Sequence, residues 1–398
     1  MTTYPRGVLP LMAAGLLACA SVKPAPPQHQ GPTWLRAESE HFILYTDQAE
    51  SAARDTILTY ERLLDAYRQL GSQTVVLPMK LEAVVFDQIS DFAALSNDPR
   101  GFQVRAAPFE PMVVMPYIAG ADSWAILKHE LTHSVAYQSL PVQPPWFAEG
   151  VAVYFQTAYF APEQQLIVGE PPRDLQRVLL KEGHEPASKL LSAESAELRP
   201  RFYASAWLLV HYLMSEHADG FVKLREAFRE GLTREAAWAQ AFPELPLAHV
   251  DQALDAYIAK GDFAFRAQPA QPYTGVAPRV DALSDADVHA LRARVLLSCP
   301  SCGWEQFRDS TEHVEQALQQ NPKHLAASLL RIPRLPADER LPAARALAKA
   351  HPDAWQAWAL IALGEQRDPL RGGRCSAEVR TRLGELGESS AYALMLSA

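Results

Sequence analysis

Long apolar runs are scarce in this 398-residue chain. None reaches the roughly 20 residues that a spanning helix needs, so a helical membrane protein is excluded and the mature chain reads as soluble. Basic clusters are missing too. The net charge is −9 and no arginine-rich run or basic stripe occurs, which removes nucleic acid from the expected partners. Cysteine is rare: of four, Cys299 and Cys302 form the single Cys-x-x-Cys pair. A zinc ribbon would need a second such pair. A thioredoxin-like redox role would need a strand–helix–strand setting, and the surroundings read as helical. The expectation is a structural disulfide with one thiol left over, either within Cys299–Cys302 or from one of them to Cys375.

What the chain does contain suits an ordinary globular core. It is 48% hydrophobic and 21% charged, and its length fits two globular parts. The first residues stand apart. Arg6 precedes an apolar run from Val8 to Ala18, long enough for a secretory signal and too short to span. The run ends in Leu16-Leu17-Ala18-Cys19, which resembles a bacterial lipobox, with cleavage before Cys19 and lipid on its thiol. The alternative is a plain signal peptide cut near Ala18 or Ala20. On the lipobox reading residues 1–18 are the signal and 19–34, which hold the proline-rich KPAPPQHQGP, are the tether. Ala20 after Cys19 favours the outer membrane, facing the periplasm, with acyl chains as the only membrane contact.

Strands are expected at HFILYTD (41–47), LEAVVFD (81–87), GFQVRA (101–106) and PMVVMPY (111–117), with an amphipathic helix over about 49–70. From about Pro145 the pattern becomes almost entirely helical. AQPAQPYTGVAP marks a linker over 266–278, which would let a chain cut near Gly275 fold alone. That divides the mature protein into 35–265 and a helical part, 279–398. Within the latter, ALQQNPKHLAASLL from Ala317 and ALAKAHPDAWQAWAL from Ala346 echo each other, resembling degenerate tetratricopeptide repeats; a plain helical bundle is the alternative. Trp355 and Trp358 there read as core.

The chemistry concentrates in ILKHELTHSVAYQSLPVQPPWFAEGVAVYFQ, Ile126 to Gln156. Asp122 or Ser123 suits an N-cap, and Ile126, Leu127, Leu131 and Val135 mark a buried face. His129 and His133 are four residues apart, about one turn, so both imidazoles point the same way and can share one Zn²⁺. Glu130 lies beside the first ligand, placed to take a proton from water there. Prolines break the helix, Pro145 opens a second, and Glu149 falls one turn into it as a third ligand. Gly150 and Ala152 are small, as expected where the second helix packs on the first. Solvated histidines with a surface glutamate would be the bland reading of the same residues.

HELTH followed by PPWFAEG resembles the gluzincin metallopeptidases, and within them the bacterial peptidase MA-like group. The resemblance covers roughly residues 35–265. It implies an α+β fold: a thermolysin-like zincin domain with a small mixed sheet and active-site helices, followed here by the all-helical, repeat-like part. It implies one Zn²⁺ on His129, His133 and Glu149, Glu130 as general base, and MVVMPY as the edge strand that pairs an extended peptide substrate. Many gluzincins carry an aspartate four residues after the ligand glutamate, where this chain has Val153, so the group that orients a ligand histidine must come from elsewhere. Oxyanion stabilisation needs a further donor. Tyr203 is the first candidate, with His211 and Tyr212 behind it. The expected activity is zinc-dependent hydrolysis of peptide bonds, with the helical part a site for a protein partner. The rival is a non-catalytic envelope scaffold whose metal site is vestigial.

Overall fold

The computed structural model describes residues 31–71, 77, 80–96, 101–104, 112–117, 121–140, 142–161, 165–194, 199–270, 273–299, 302–366 and 375–386. The expected signal peptide, Cys19 and most of the tether lie outside them. Strands β1 (Leu35–Glu38) and β2 (Phe42–Thr46) pair antiparallel. Helix α1 (Glu50–Gly71) then crosses to β3 (Leu81–Phe86), parallel to β2, as the expected strand and helix positions required. After α2 (Ile89–Leu95) come β4 (Phe102–Val104) and β5 (Met112–Pro116), the latter parallel to β3. The sheet is completed by β9 (Arg279–Ala282), in the order β4-β5-β3-β2-β1-β9.

Every residue of β3 and β5 is buried, because both faces of the sheet are covered. Side-chain alternation sorts them. Leu81, Ala83, Val85, Val113 and Met115 point to one core, shared with Ile57, Leu64, Leu127 and Leu131. Val84, Phe86, Met112 and Val114 point to the other, shared with Phe92 and with Val288, Leu291 and Val295 of α11 (Asp285–Ser298). Ser284 caps α11 in a reciprocal box: its Oγ accepts from Asp287 N while Asp287 Oδ2 accepts from Ser284 N at 3.1 Å.

Two expectations need correction here. MVVMPY is not the edge: β5 pairs on its outer side with β4, Phe102 opposite Val114 and Val104 opposite Met112, so β4 is the edge of the described sheet. The linker drawn at 266–278 does not separate two cores. Within it β8 (Arg266–Pro269) joins a small antiparallel sheet with β7 (Gln165–Val168) and β6 (Tyr159–Ala161). Beyond it β9 and α11 build the first sheet and its cover. The buried Glu82 on β3 forms an ion pair with Arg294 of α11 and accepts from Tyr45 at 3.2 Å.

From Pro145 on the chain is mostly helical, as expected, but strands β6 to β9 also fall in this stretch. Helices α3 (Ala121–Ser139) and α4 (Pro145–Gln156) carry the motif. They are followed by α5 (Arg173–Glu182), α6 (Ala187–Ser192), α7 (Pro200–Glu216), α8 (Ala218–Arg229), α9 (Arg234–Ala241) and α10 (Val250–Lys260). The two echoing segments form α12 (Trp304–Gln320) with α13 (Leu325–Arg331), and α14 (Ala337–Ala350) with α15 (Trp355–Gln366). Their turns match: His324 N donates to Asn321 O and Ala354 N to His351 O. Trp355 is buried, whereas Trp358 is partly buried under Arg382, on the last helix, α16 (Ala377–Leu386). Cys299 and Cys302 form a disulfide, and Cys375 is buried and lies outside it. No helix among the described residues is long and apolar enough to cross a membrane.

Candidate metal centre

Helix α4 is unusual for a segment carrying a carboxylate. Trp146, Phe147 and every residue from Gly150 to Phe155 are buried, so the helix is enclosed on nearly all sides. Pro144 in extended conformation and Pro145 at the first helical position start it abruptly, which puts Glu149 one turn in. Gly150 explains how deeply it sits. A Cβ there would lie 2.4 Å from Ala206 O and 2.5 Å from Val210 Cγ2, so the close approach that Gly150 permits is to α7 rather than to α3. Helix α3 itself starts at Ala121, ahead of the expected caps Asp122 and Ser123, whose side chains are outside the described residues.

The two helices bring His129, His133 and Glu149 together. The Nε2 atoms of the two imidazoles are 3.1 Å apart, and Glu149 Oε2 is 3.3 Å from His129 Nε2 and 3.4 Å from His133 Nε2. A tetrahedral ion with bonds of about 2.0–2.1 Å spaces its ligand atoms roughly 3.3 Å apart, close to each side of this triangle. The Glu149 Oε2 atom is sealed from solvent and has no aligned hydrogen bond. An orphaned carboxylate oxygen between two imidazole nitrogens is costly unless a cation satisfies all three. These residues can hold a metal ion. Each side chain keeps a sliver of exposure, 14% for His129, 15% for His133 and 14% for Glu149, so the cluster opens on one side.

Charge follows the geometry. Burial pushes the Glu149 carboxyl up, but the facing imidazoles of His129 and His133 more than reverse this and bring it to about 2. For His129 burial works against the charged ring, yet Glu149 and the neighbouring Glu130 outweigh it and raise its pKa. Glu130 is partly buried on α3 and its charge is felt at His129 without belonging to the triangle.

Tyr203, in the first turn of α7, is brought in: its ring centre is 6.3 Å from that of His129. His211 and Tyr212 are not. His211 is fully buried two turns further on, its Nδ1 2.9 Å from the Tyr257 hydroxyl, and Tyr212 meets His217 at 3.0 Å. One neighbour escaped the motif reading. Gln156 Oε1 lies 3.0 Å from His129 Nδ1, on the side of the ring away from the triangle. The signal was available, since Gln156 is the first side-chain amide or charge after Glu149 on a largely apolar helix. No protein-family model matches the chain, and no curated protein matches it.

Proposed function

We propose that this protein is a zinc-dependent peptidase of the gluzincin type, held at the bacterial cell envelope by lipid on Cys19. The observation that supports it most is the triangle of His129, His133 and Glu149, with Glu130 next to His129 on α3 and the Tyr203 ring 6.3 Å from that of His129. Two neutral imidazoles and one carboxylate with an open side suit zinc in a catalytic rather than a structural role. When bound, zinc would polarise a carbonyl and acidify a water. Glu130 takes a proton from the attacking water and delivers it to the leaving amine nitrogen. The Tyr203 hydroxyl donates to the developing oxyanion. A thermolysin-like arrangement places the substrate beside a sheet edge, and among the described strands that role would fall to β4, pairing an extended peptide. The helical hairpins α12–α13 and α14–α15 offer a surface for a protein partner.

Two variants separate holding the metal from using it. Glu149→Ala removes a ligand oxygen, so zinc content falls towards zero. Glu130→Gln keeps the size and removes only the proton acceptor, so zinc content stays at the parental level while peptide hydrolysis falls by roughly 10²–10⁴-fold. Zinc stoichiometry and digestion of a peptide library are measured on both. Loss of zinc from Glu130→Gln with retention by Glu149→Ala would reverse the roles, and a zinc-loaded parent that cleaves nothing would favour the scaffold.

A further inference from the structure

Helix α4 touches the His129 ring twice. Glu149 and Gln156 are seven residues apart, close to two full turns, so they project from one stripe of the helix about 10 Å apart along its axis. The His129 imidazole lies between them, with Nε2 3.3 Å from Glu149 Oε2 and Nδ1 3.0 Å from Gln156 Oε1. A neutral imidazole has one N–H and one lone pair, and the partner of one nitrogen decides the state of the other. An amide oxygen only accepts. With Gln156 Oε1 at Nδ1, the proton is on Nδ1 and the lone pair is on Nε2, facing His133 and Glu149. The flipped amide would offer N–H to Nδ1, drive the ring proton onto Nε2 and close the triangle to a cation.

We infer that Gln156 is the positioning residue of the metal centre: by accepting from His129 Nδ1 it fixes the tautomer and ring plane in which Nε2 can bind a metal ion. This rests on the reading of His129, His133 and Glu149 as ligands. It also accounts for Val153. That side chain is buried and apolar and offers no acceptor to either ring, whereas Gln156, three residues along α4, offers an uncharged amide oxygen to His129 Nδ1. A neutral acceptor fixes the ring without adding negative charge, so the centre gives up some of the metal affinity that a carboxylate would confer.

The full-length chain, Gln156→Met and Gln156→Glu are titrated with Zn²⁺ against a chelator of known affinity, and the His129 tautomer of the metal-free proteins is read from ¹⁵N-histidine spectra at a pH where the ring is neutral. Methionine has similar length and no strong acceptor, so zinc affinity should fall roughly 10–100-fold and the Nδ1–H signal of His129 should disappear, with the melting temperature unchanged. Glutamate accepts in every orientation, so Gln156→Glu should keep that tautomer and bind zinc at least as tightly as the parent. Parental affinity in Gln156→Met overturns the inference alone, as does an equal loss in both variants. A parent that binds no zinc overturns the metal centre and this inference together.

Discussion

The two faces of the six-stranded sheet are covered by different stretches of chain. On one, α1 and α3 arrive within the first 140 residues and bring two of the three candidate ligands, His129 and His133, with them. On the other, α2 is joined by α11, which arrives only after the strands, the motif helices and the six helices α5 to α10 are complete. The first face holds the chemistry in a shallow, partly exposed cluster. The second holds an apolar layer with the buried ion pair Glu82–Arg294. Chemistry here is local in sequence, and the support for it is not.

Removing the far face is the severest way to break this contrast. A chain ending at Gly275 loses β9 and α11, exposes Val84, Phe86, Met112 and Val114, and leaves Glu82 without its cation. It should not fold, by circular dichroism, and should bind no zinc. A truncated chain with the parental melt and zinc content would restore a boundary at 266–278. A gentler cut is Arg294→Met, which keeps the helix and strands a buried charge on Glu82. Urea unfolding should show a loss of about 3–5 kcal/mol, largely recovered when Glu82→Leu is added. A loss of under about 1 kcal/mol would mean the pair behaves as a surface one.

Acid sharpens the contrast with the smallest effect. On the side of the candidate metal centre His211 is buried among Tyr154, Trp207, Tyr257 and Phe263, with Arg266 nearby, and burial lowers its pKa to about 4. The unfolded chain takes up that proton near 6.5, so the stability from keeping His211 neutral is complete above about 6.5 and declines to about 4, roughly 3 kcal/mol in all. On the far side, His324 holds the Asp287 carboxyl at about 2, so its contribution is intact above the usual carboxylate range and lost only as pH falls from about 4 to 2. His211→Phe should flatten the decline between pH 6.5 and 4 and leave the lower step. An unchanged profile would place the sensitivity elsewhere.

The strands and the motif helices were readable because their signals are short-range. LEAVVF and MVVMP are apolar runs bounded by breaks, and prolines set the start of α4. Glu149 could be placed from its offset along one helix. What failed was long-range. Nothing within GFQV says that it lies outside β5, since that depends on how the chain returns across the sheet. Nothing in DADVHALRARVLLS says that it covers strands made some 200 residues earlier. The partner of Gly150 went to α7 for the same reason: a glycine reports a close approach and not the identity of what approaches.

The pairing of β1 with β9, Leu35 opposite Ala282 and Glu38 opposite Arg279, sets a schedule for folding. A strand near the start of the chain waits for one made almost 250 residues later, so the sheet has a high contact order and closes late. Until then the outer edge of β1 and the apolar side of β3 and β5 are open to other chains, the situation in which strand edges aggregate. Fast synthesis or overproduction should therefore yield insoluble protein, and a chaperone that shields the early half should raise the soluble fraction.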